Sequence, residues 1–307
     1  MRILHLSDTH LGTERAARGA PRGWRRAEDH ALAMEAALRP AIEEQVDLVL
    51  HTGDVFDKAA PPGDAIASAV ELLHRASRRV PTVIMPGNHD RRGLKALLME
   101  LPGLHICDEP TRLVFGDLAL GVVPYYREAD AWAHAAEEAV GGGVDLVLAH
   151  QSFHGSSVPG FRFRAGTHRE TVGREHLPRG VRLVATGHLH PRQTVRLGDV
   201  PVVHTGSTER TSFSEQHETK SCTIWSFDRR VTWTWMDLPT RPMRTVHELS
   251  DLDGVAPGTL VSLAQDVRTV EHEEAVLASG AWLTGRPAMA PRDRRPPPER
   301  QSRMFGV

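Results

Sequence analysis

Asp8 and His10 follow a short apolar run, Ile3 to Leu6, and are separated by one residue. Residues i and i+2 of an extended chain point to the same side, so both side chains can aim at one point beyond a strand end. Four more apolar runs finish in the same manner. The run through Leu48 leads to Asp54 and Asp57, that through Val83 to Asn88 and His89, that through Leu146 to His150, and that through Leu183 to His188 and His190. Carboxylate, imidazole and amide oxygen together suit Mn, Fe or Zn rather than a thiolate-seeking ion or an all-oxygen Ca or Mg site. The set exceeds what one four-coordinate ion needs, which points to two ions sharing a bridging carboxylate, at the roughly 3.5–4 Å separation of two-metal hydrolases. Two divalent ions lower the pKa of a water held between them and neutralise charge on a phosphoryl group during in-line displacement. The leaving oxygen then needs a proton. His89, next to Asn88, is the candidate acid, and Asp57, three residues beyond Asp54, is the candidate carboxylate to orient it.

Such chemistry needs a scaffold that carries five strand ends to one place. Ala31, Met34, Ala37, Leu38 and Ile42 recur at helical spacing, which predicts an amphipathic helix over residues 27–44. Residues 46–51 read as a buried strand, 64–79 as a second helix after the Pro61–Pro62 break, and 82–85 as another strand. A short helix near 94–101, strands at 112–115 and 118–123, and an alanine-rich helix at 129–140 follow. Strands at 144–149 and 181–185 deliver His150 and His188. Alternating strand and helix implies a largely parallel sheet, in which functional residues gather beyond the carboxyl ends of the strands. Hairpins come next, at 194–204 and 222–236, with Trp225, Trp233 and Trp235 packing one sheet face. Residues 15–26 read as an exposed basic loop, either a solvated connection or a flank to an anionic substrate, and 151–179 as an ordered surface excursion carrying His154, Arg162, Arg164 and His168. Pro239 and Pro242 mark the exit from a first domain, residues 1–240. Residues 241–284 form a small appended element with one strand, 259–263, and a helix near 271–279. Residues 285–307, dominated by Pro and Arg, are expected to be disordered.

Ser7-Asp8-Thr9-His10, Gly53-Asp54-Val55-Phe56-Asp57, Gly87-Asn88-His89-Asp90, Ala149-His150 and Gly187-His188-Leu189-His190, in this order, resemble the motif series of the calcineurin-like metallophosphoesterases. Within that superfamily, residues 8–12, 53–62 and 206–215 are similar to the SbcD-type DNA repair exonucleases. The resemblance implies an α/β (α+β) fold, a four-layer αββα sandwich with a small C-terminal appendage. It also implies a Mn-dependent phosphodiesterase acting on DNA. Carried over by position, it implies that Asp8, His10, Asp54 and His190 hold one ion and that Asp54, Asn88, His150 and His188 hold the second. Asp54 then bridges, His89 is the transition-state acid and Asp57 its partner. An SbcC-like coiled-coil ATPase is the partner the resemblance implies. Those exonucleases usually carry a substantial capping domain and a helical docking segment, whereas only some 65 residues follow Pro242 here.

Net charge is -2 over 307 residues, so no global basic field announces a polyanion and any nucleic-acid surface must be local. Two cysteines, Cys107 and Cys222, exclude a disulfide framework and fit a reducing compartment. No apolar run reaches about 18 residues and no leader pattern opens the chain, so a cytoplasmic location is the expectation; the oligomeric state stays open, a dimer included. His5 and His51, inside apolar strands, are expected to be satisfied core histidines. His154 and Arg210 are the candidate substrate contacts, Arg210 toward phosphate. Hydrolysis of small phosphodiesters such as cyclic nucleotides, or of phosphomonoesters, is the alternative within enzymes. A metal-bound scaffold presenting DNA to an ATPase is the alternative outside them, although it would not need Asn88, His89 and Asp57 together.

Overall fold

The computed structural model describes residues 1–90, 93–98, 101–159, 161–163 and 168–285. Arg164 and nearly all of the Pro/Arg-rich tail lie outside the described residues. The chain opens with β1 (Arg2–Leu6), β2 (Ala17–Arg18), α1 (Arg26–Ile42), β3 (Leu48–His51), α2 (Gly63–Ser77) and β4 (Thr82–Ile84). It continues through α3 (Leu94–Leu98), β5 (Leu104–Ile106), β6 (Thr111–Phe115), β7 (Leu118–Val123), α4 (Ala129–Val140) and β8 (Leu146–His150). A short ribbon, β9 (Ser157–Val158) with β10 (Phe161–Arg162), precedes β11 (Val184–Gly187), β12 (Gln193–Leu197), β13 (Val200–His204), β14 (Ser221–Phe227) and β15 (Val231–Asp237). β16 (Met243–Val246), β17 (Leu260–Leu263), α5 (Val270–Ala278) and β18 (Trp282–Thr284) follow.

Two six-stranded sheets form the body, ordered β15-β14-β1-β3-β4-β5 and β12-β13-β11-β8-β7-β6. Their central strands run parallel and the hairpin partners β14, β15, β12 and β6 lie antiparallel. Side-chain alternation assigns the layers. In β3, Leu48 and Leu50 face the second sheet, where they meet the layer of Leu120, Leu146 and Leu148, while Val49 turns to Met34, Leu38 and Leu73 of α1 and α2. In β8, Val147 and Ala149 turn the other way, to Trp132 and Ala136 of α4. The result is the expected helix, sheet, sheet, helix order. Both faces of the parallel strands are covered, which is why they read as unbroken apolar runs rather than as alternating ones. Trp225 is fully buried, and Trp233 and Trp235 pack against the same inter-sheet layer. Register levels the strand ends: Leu6 pairs with His51, His51 with Ile84, and Gly187 with His150.

Several expectations need correction. Residues 15–26 are not a free basic loop, because Ala17 and Arg18 pair with Thr284 and Leu283 of β18. Arg26 is buried between two carboxylates, Asp29 at 2.8 Å and Glu209 at 3.2 Å. The segment after Met243 holds three strands rather than one, and with β2 it makes a four-stranded sheet, β16-β17-β18-β2. That sheet carries α5 through a small core of Val246, Val261, Val276 and Leu283. Residues 151–179 are only partly an excursion: Phe153 and Val172 are fully buried against α4's side of the core. Two isolated apolar residues give no period to read. β5 has no counterpart among the strands expected from the sequence. Both cysteines are free and buried. Among the described residues no helix is long and apolar enough to cross a membrane.

Burial leaves His5, His30, His51 and His204 uncharged, each pushed from 6.5 down to about 3. In the unfolded chain these rings accept a proton near 6.5 and in the folded chain they do not, so their share of stability is complete above that value and is lost as pH falls from 6.5 toward 3. The urea midpoint of the metal-free protein should therefore drop steadily between about pH 7 and about pH 5, above the carboxylate range. A flat midpoint across that window would contradict the assignment.

Candidate metal centre

All the candidate ligands sit at the carboxyl edge of the two sheets. Asp8 and His10 follow β1, Asp54 follows β3, Asn88 follows β4, His150 ends β8, and His188 and His190 follow β11. Four of them hold left-handed backbone: Asp8 at φ 52°, His10 at 45°, Asp54 at 54° and His188 at 77°. Each such residue costs on the order of 1–3 kcal/mol, so four together consume much of the ~5–15 kcal/mol by which a domain is stable. The conformation persists because neighbouring loops tie it down. Asp8 N–H donates to the Gly53 carbonyl at 3.0 Å and His10 N–H to the Asp54 carbonyl at 3.1 Å. His188 N–H donates to both Asp8 carboxylate oxygens, at 3.1 and 3.2 Å, and His89 N–H to Asp54 Oδ1 at 2.8 Å. Asp90, buried behind them, accepts from the main-chain N–H groups of Val55, Phe56 and Gly87, binding the Asp54 loop to the Asn88 loop. Burial first, and the Asp54 charge second, push the Asp90 carboxyl up to about 7.

Three clusters of ligand atoms lie within 4.8 Å: Asp8 with His10 and His190, His10 with Asp54 and His89, and Asp8 with Asp54 and His150. Asn88 joins them through Oδ1, which is 3.1 Å from His150 Nε2 and 2.8 Å from His188 Nδ1. Two of the imidazoles are anchored by one nitrogen and offer the other. His150 Nδ1 donates to the Thr52 carbonyl at 2.6 Å and turns Nε2 to Asp54 Oδ2 at 3.3 Å. His190 Nδ1 meets Glu215 Oε1 at 2.9 Å and turns Nε2 to His10 Nε2 at 3.2 Å. Two imidazole nitrogens facing each other beside buried carboxylates share at most one proton, and a cation would complete the arrangement. The residues present thus fit divalent metal ions.

Charge follows the same pattern. Burial works to raise the Asp54 carboxyl, but His150, His10 and His89 outweigh it and hold the group far below the usual carboxylate range. Burial works to lower His150, but Asp54 and Asp8 raise it to about 9. His10 goes down, through burial and then His190. Burial opposes protonation of His190, and Glu215 overcomes it.

Sequence reading missed Glu215 and Glu170 as anchors. Glu215 holds His190 and is itself held by the buried Lys220, Nζ to Oε2 2.6 Å. Glu170 Oε1 lies 3.3 Å from His188 Nε2, and Tyr125 O–H donates to Glu170 Oε2 at 2.7 Å. Carboxylates behind metal-binding imidazoles fix ring orientation and basicity. Glu215 lies inside the 206–215 motif and was within reach of inference; Glu170 stands in a stretch with no pattern. Asp57 meets His89 through its main-chain carbonyl, to which His89 Nδ1 donates at 2.7 Å, while its carboxylate lies 3.9 Å from His10 Nδ1. Arg210 is spent elsewhere: its guanidinium donates to the carbonyls of Glu215, Glu218 and Arg241 and to Thr240 Oγ1, so the expected phosphate contact gives way to a structural one. His154 occupies an exposed turn outside the three clusters.

Residues 1–192, which carry every one of these ligands, match the family model for calcineurin-like phosphoesterases. The chain belongs to that family. Among calcineurin-like relatives, a subunit of the nuclease SbcCD from Bacillus subtilis is 28% identical over 276 residues, covering 78% of this chain and 69% of that protein. The DNA double-strand break repair protein Mre11 of Methanosarcina mazei is 28% identical over 250 residues, covering 78% of this chain but only 39% of that protein. A solved 5'-nucleotidase precursor from Thermus thermophilus aligns with TM-score 0.46 at 14% identity, covering 78% of this chain and 54% of that one.

The glycines of these loops have a steric purpose that can be tested. A Cβ on Gly87 would fall 2.2 Å from Asp54 Oδ1 and 2.7 Å from His150 Nε2, whereas one on Gly63 meets nothing within 4 Å. Gly87→Ala should cost roughly 1–3 kcal/mol of stability and weaken divalent-ion binding by about tenfold or more, both read by calorimetry, with Gly63→Ala as the neutral control.

Proposed function

We propose that this chain hydrolyses DNA phosphodiester bonds with two divalent ions, Mn in the first place and Fe or Zn as substitutes. Asp8, His10, Asp54 and His190 would hold one ion, and Asp54, Asn88, His150 and His188 the other. The observation that carries this reading is the position of Asp54. Its Oδ2 lies 3.3 Å from His150 Nε2 and 3.9 Å from His10 Nε2, so one carboxylate stands between the two ligand groups. When bound, such a pair supplies Lewis-acid stabilisation of the phosphoryl group and a water of lowered pKa. The chain's own residues do the rest. His89 is exposed, and because Nδ1 donates to the Asp57 carbonyl, Nε2 is the nitrogen left to deliver a proton to the leaving oxygen. Its main-chain N–H on Asp54 keeps that ring in register with the ligands.

DNA is favoured as substrate by the names of the relatives, a nuclease subunit and a double-strand break repair protein, each similar over 78% of this chain. An SbcC-like ATPase partner and action in DNA repair belong to the same reading, with residues 1–240 as the catalytic domain and 241–284 as an appended element. Purified protein with Mn should cleave labelled single- or double-stranded DNA in preference to a cyclic nucleotide or a chromogenic phosphodiester. Rapid cyclic nucleotide turnover without DNA cleavage would sink the nuclease reading. His89→Ala should keep both ions and lose about 10²–10⁴-fold in turnover, while Asp54→Ala should lose metal at both positions; metal content and rate measured on the same preparations separate these outcomes.

A further inference from the structure

A cavity of about 270 Å3 opens directly beside the candidate ligand Asn88, lined by Gly87, Asn88, Pro124, Tyr125, Tyr126 and Arg127. Nothing in the phosphodiesterase chemistry uses it. We propose that it receives a single unstacked nucleobase attached to the phosphate under attack, with Tyr125 and Tyr126 as its walls and Arg127 reaching the adjoining phosphate. This assignment rests on the phosphodiesterase reading and names the substrate class of the same site.

Position comes first. Asn88 belongs both to the candidate ligand set and to the cavity wall, so a phosphate held at the centre would have the cavity within reach of its nucleoside. Rigidity comes second. Tyr125 is pinned at both ends: its hydroxyl donates to Glu170 at 2.7 Å, and its ring centroid lies 5.6 Å from that of His188. Tyr126 is clamped through its backbone by the buried Gln151, which accepts from its N–H at 3.3 Å and donates to its carbonyl at 2.9 Å. Gln151 directly follows the ligand His150, so this wall is built onto the strand that carries the site. Walls fixed in advance avoid the ordering cost that a loop closing on a ligand would meet.

Chemistry comes third. Aromatic side chains accept any base on its π-face, which suits sequence-tolerant binding. Arg127 is exposed at the rim and has neither a hydrogen-bond nor an ion-pair partner among the described residues. Size completes the argument. The volume, about 270 Å3, falls just below the roughly 300–1,000 Å3 of pockets for drug-sized ligands and is of the size of one base. A substrate that fills it presents an unpaired base, as a frayed or single-stranded DNA end does, or a mononucleotide ester.

The test is calorimetric binding to the Mn-loaded protein of deoxyadenosine 5'-monophosphate, 2-deoxyribose 5-phosphate and inorganic phosphate. The base should add about tenfold in affinity over the sugar phosphate. Tyr126→Ala should abolish most of that increment, and Arg127→Ala, an exposed and fold-neutral change, should weaken a 5'-phosphorylated dinucleotide more than the mononucleotide. Equal binding of nucleotide and sugar phosphate would overturn the proposal, as would a Tyr126→Ala protein that weakens both ligands alike. Displacing the bound mononucleotide with a single-stranded oligonucleotide or with a cyclic nucleotide then tells the two sources of the base apart, and displacement by neither counts against the pocket. The two readings fail separately: DNA left uncut beside a clear base increment removes the nuclease reading alone, and DNA cleavage without any increment removes the pocket alone.

Discussion

Gly187 is where the end of β11 meets the loops that follow β1 and β3. A side-chain carbon there would come 1.9 Å from Ser7 Oγ and 2.8 Å from the Thr52 carbonyl, so only hydrogen allows β11 to end against the loops that follow β1 and β3. Gly53 and Gly87 do the same for their neighbours, since a side-chain carbon would fall 2.5 Å from His150 Nδ1 at the first and 2.2 Å from Asp54 Oδ1 at the second. Each of the three immediately precedes a candidate ligand. The pairing is mechanical: the glycine removes bulk so that the next residue can approach a partner on a neighbouring loop. Without that close approach, Asp8 could not accept from the His188 N–H, and the left-handed backbone at Asp8, Asp54 and His188 would lose hydrogen bonds that hold it.

Much of this arrangement was legible in the residues. The apolar runs at Ile3, Leu48, Val83, Leu146 and Leu183 mark the five strands that deliver the candidate ligands, and helical spacing marks α1, α2 and α4 to within a few residues. What escaped has physical reasons. β2 is two residues long and exists only through its pairing with β18, more than 260 positions away, so no local pattern announces it. β5 carries alternate half-exposed residues in a run too short to have a period. The Asp57 carbonyl rather than its carboxylate meets His89, and a main-chain oxygen has no letter in a sequence. Arg210 resembles a phosphate ligand by type; its neighbours' carbonyls, which decide its use, become neighbours only after folding.

The centre is also supported from behind by charge. Lys220 is fully buried, with Glu215 at 2.6 Å and Glu218 at 2.7 Å, and Glu215 in turn grips His190. Removing one member of such a buried network leaves the others uncompensated, at a cost of about 3–5 kcal/mol. Glu170, shared by Tyr125, Ser152 and His188, repeats the device on the opposite flank. Two carboxylates therefore brace two histidines that are two residues apart, one from each side, and the loop Gly187 to His190 has little freedom left.

The pairing of β2 with β18 carries one more consequence, in the order of events during synthesis. Residues 17 and 18 lie a few positions beyond the loop of Asp8 and His10, yet their strand partners are Leu283 and Thr284. At about 5–20 residues per second on the ribosome, the segment that flanks the first candidate ligands waits on the order of ten seconds or more for its mate. β1 itself acquires β14 only after residue 227 has emerged. Until then the nascent chain holds β1 without one of its two flanking strands, so the sheet edge that carries Asp8 and His10 is completed late in translation rather than at its start.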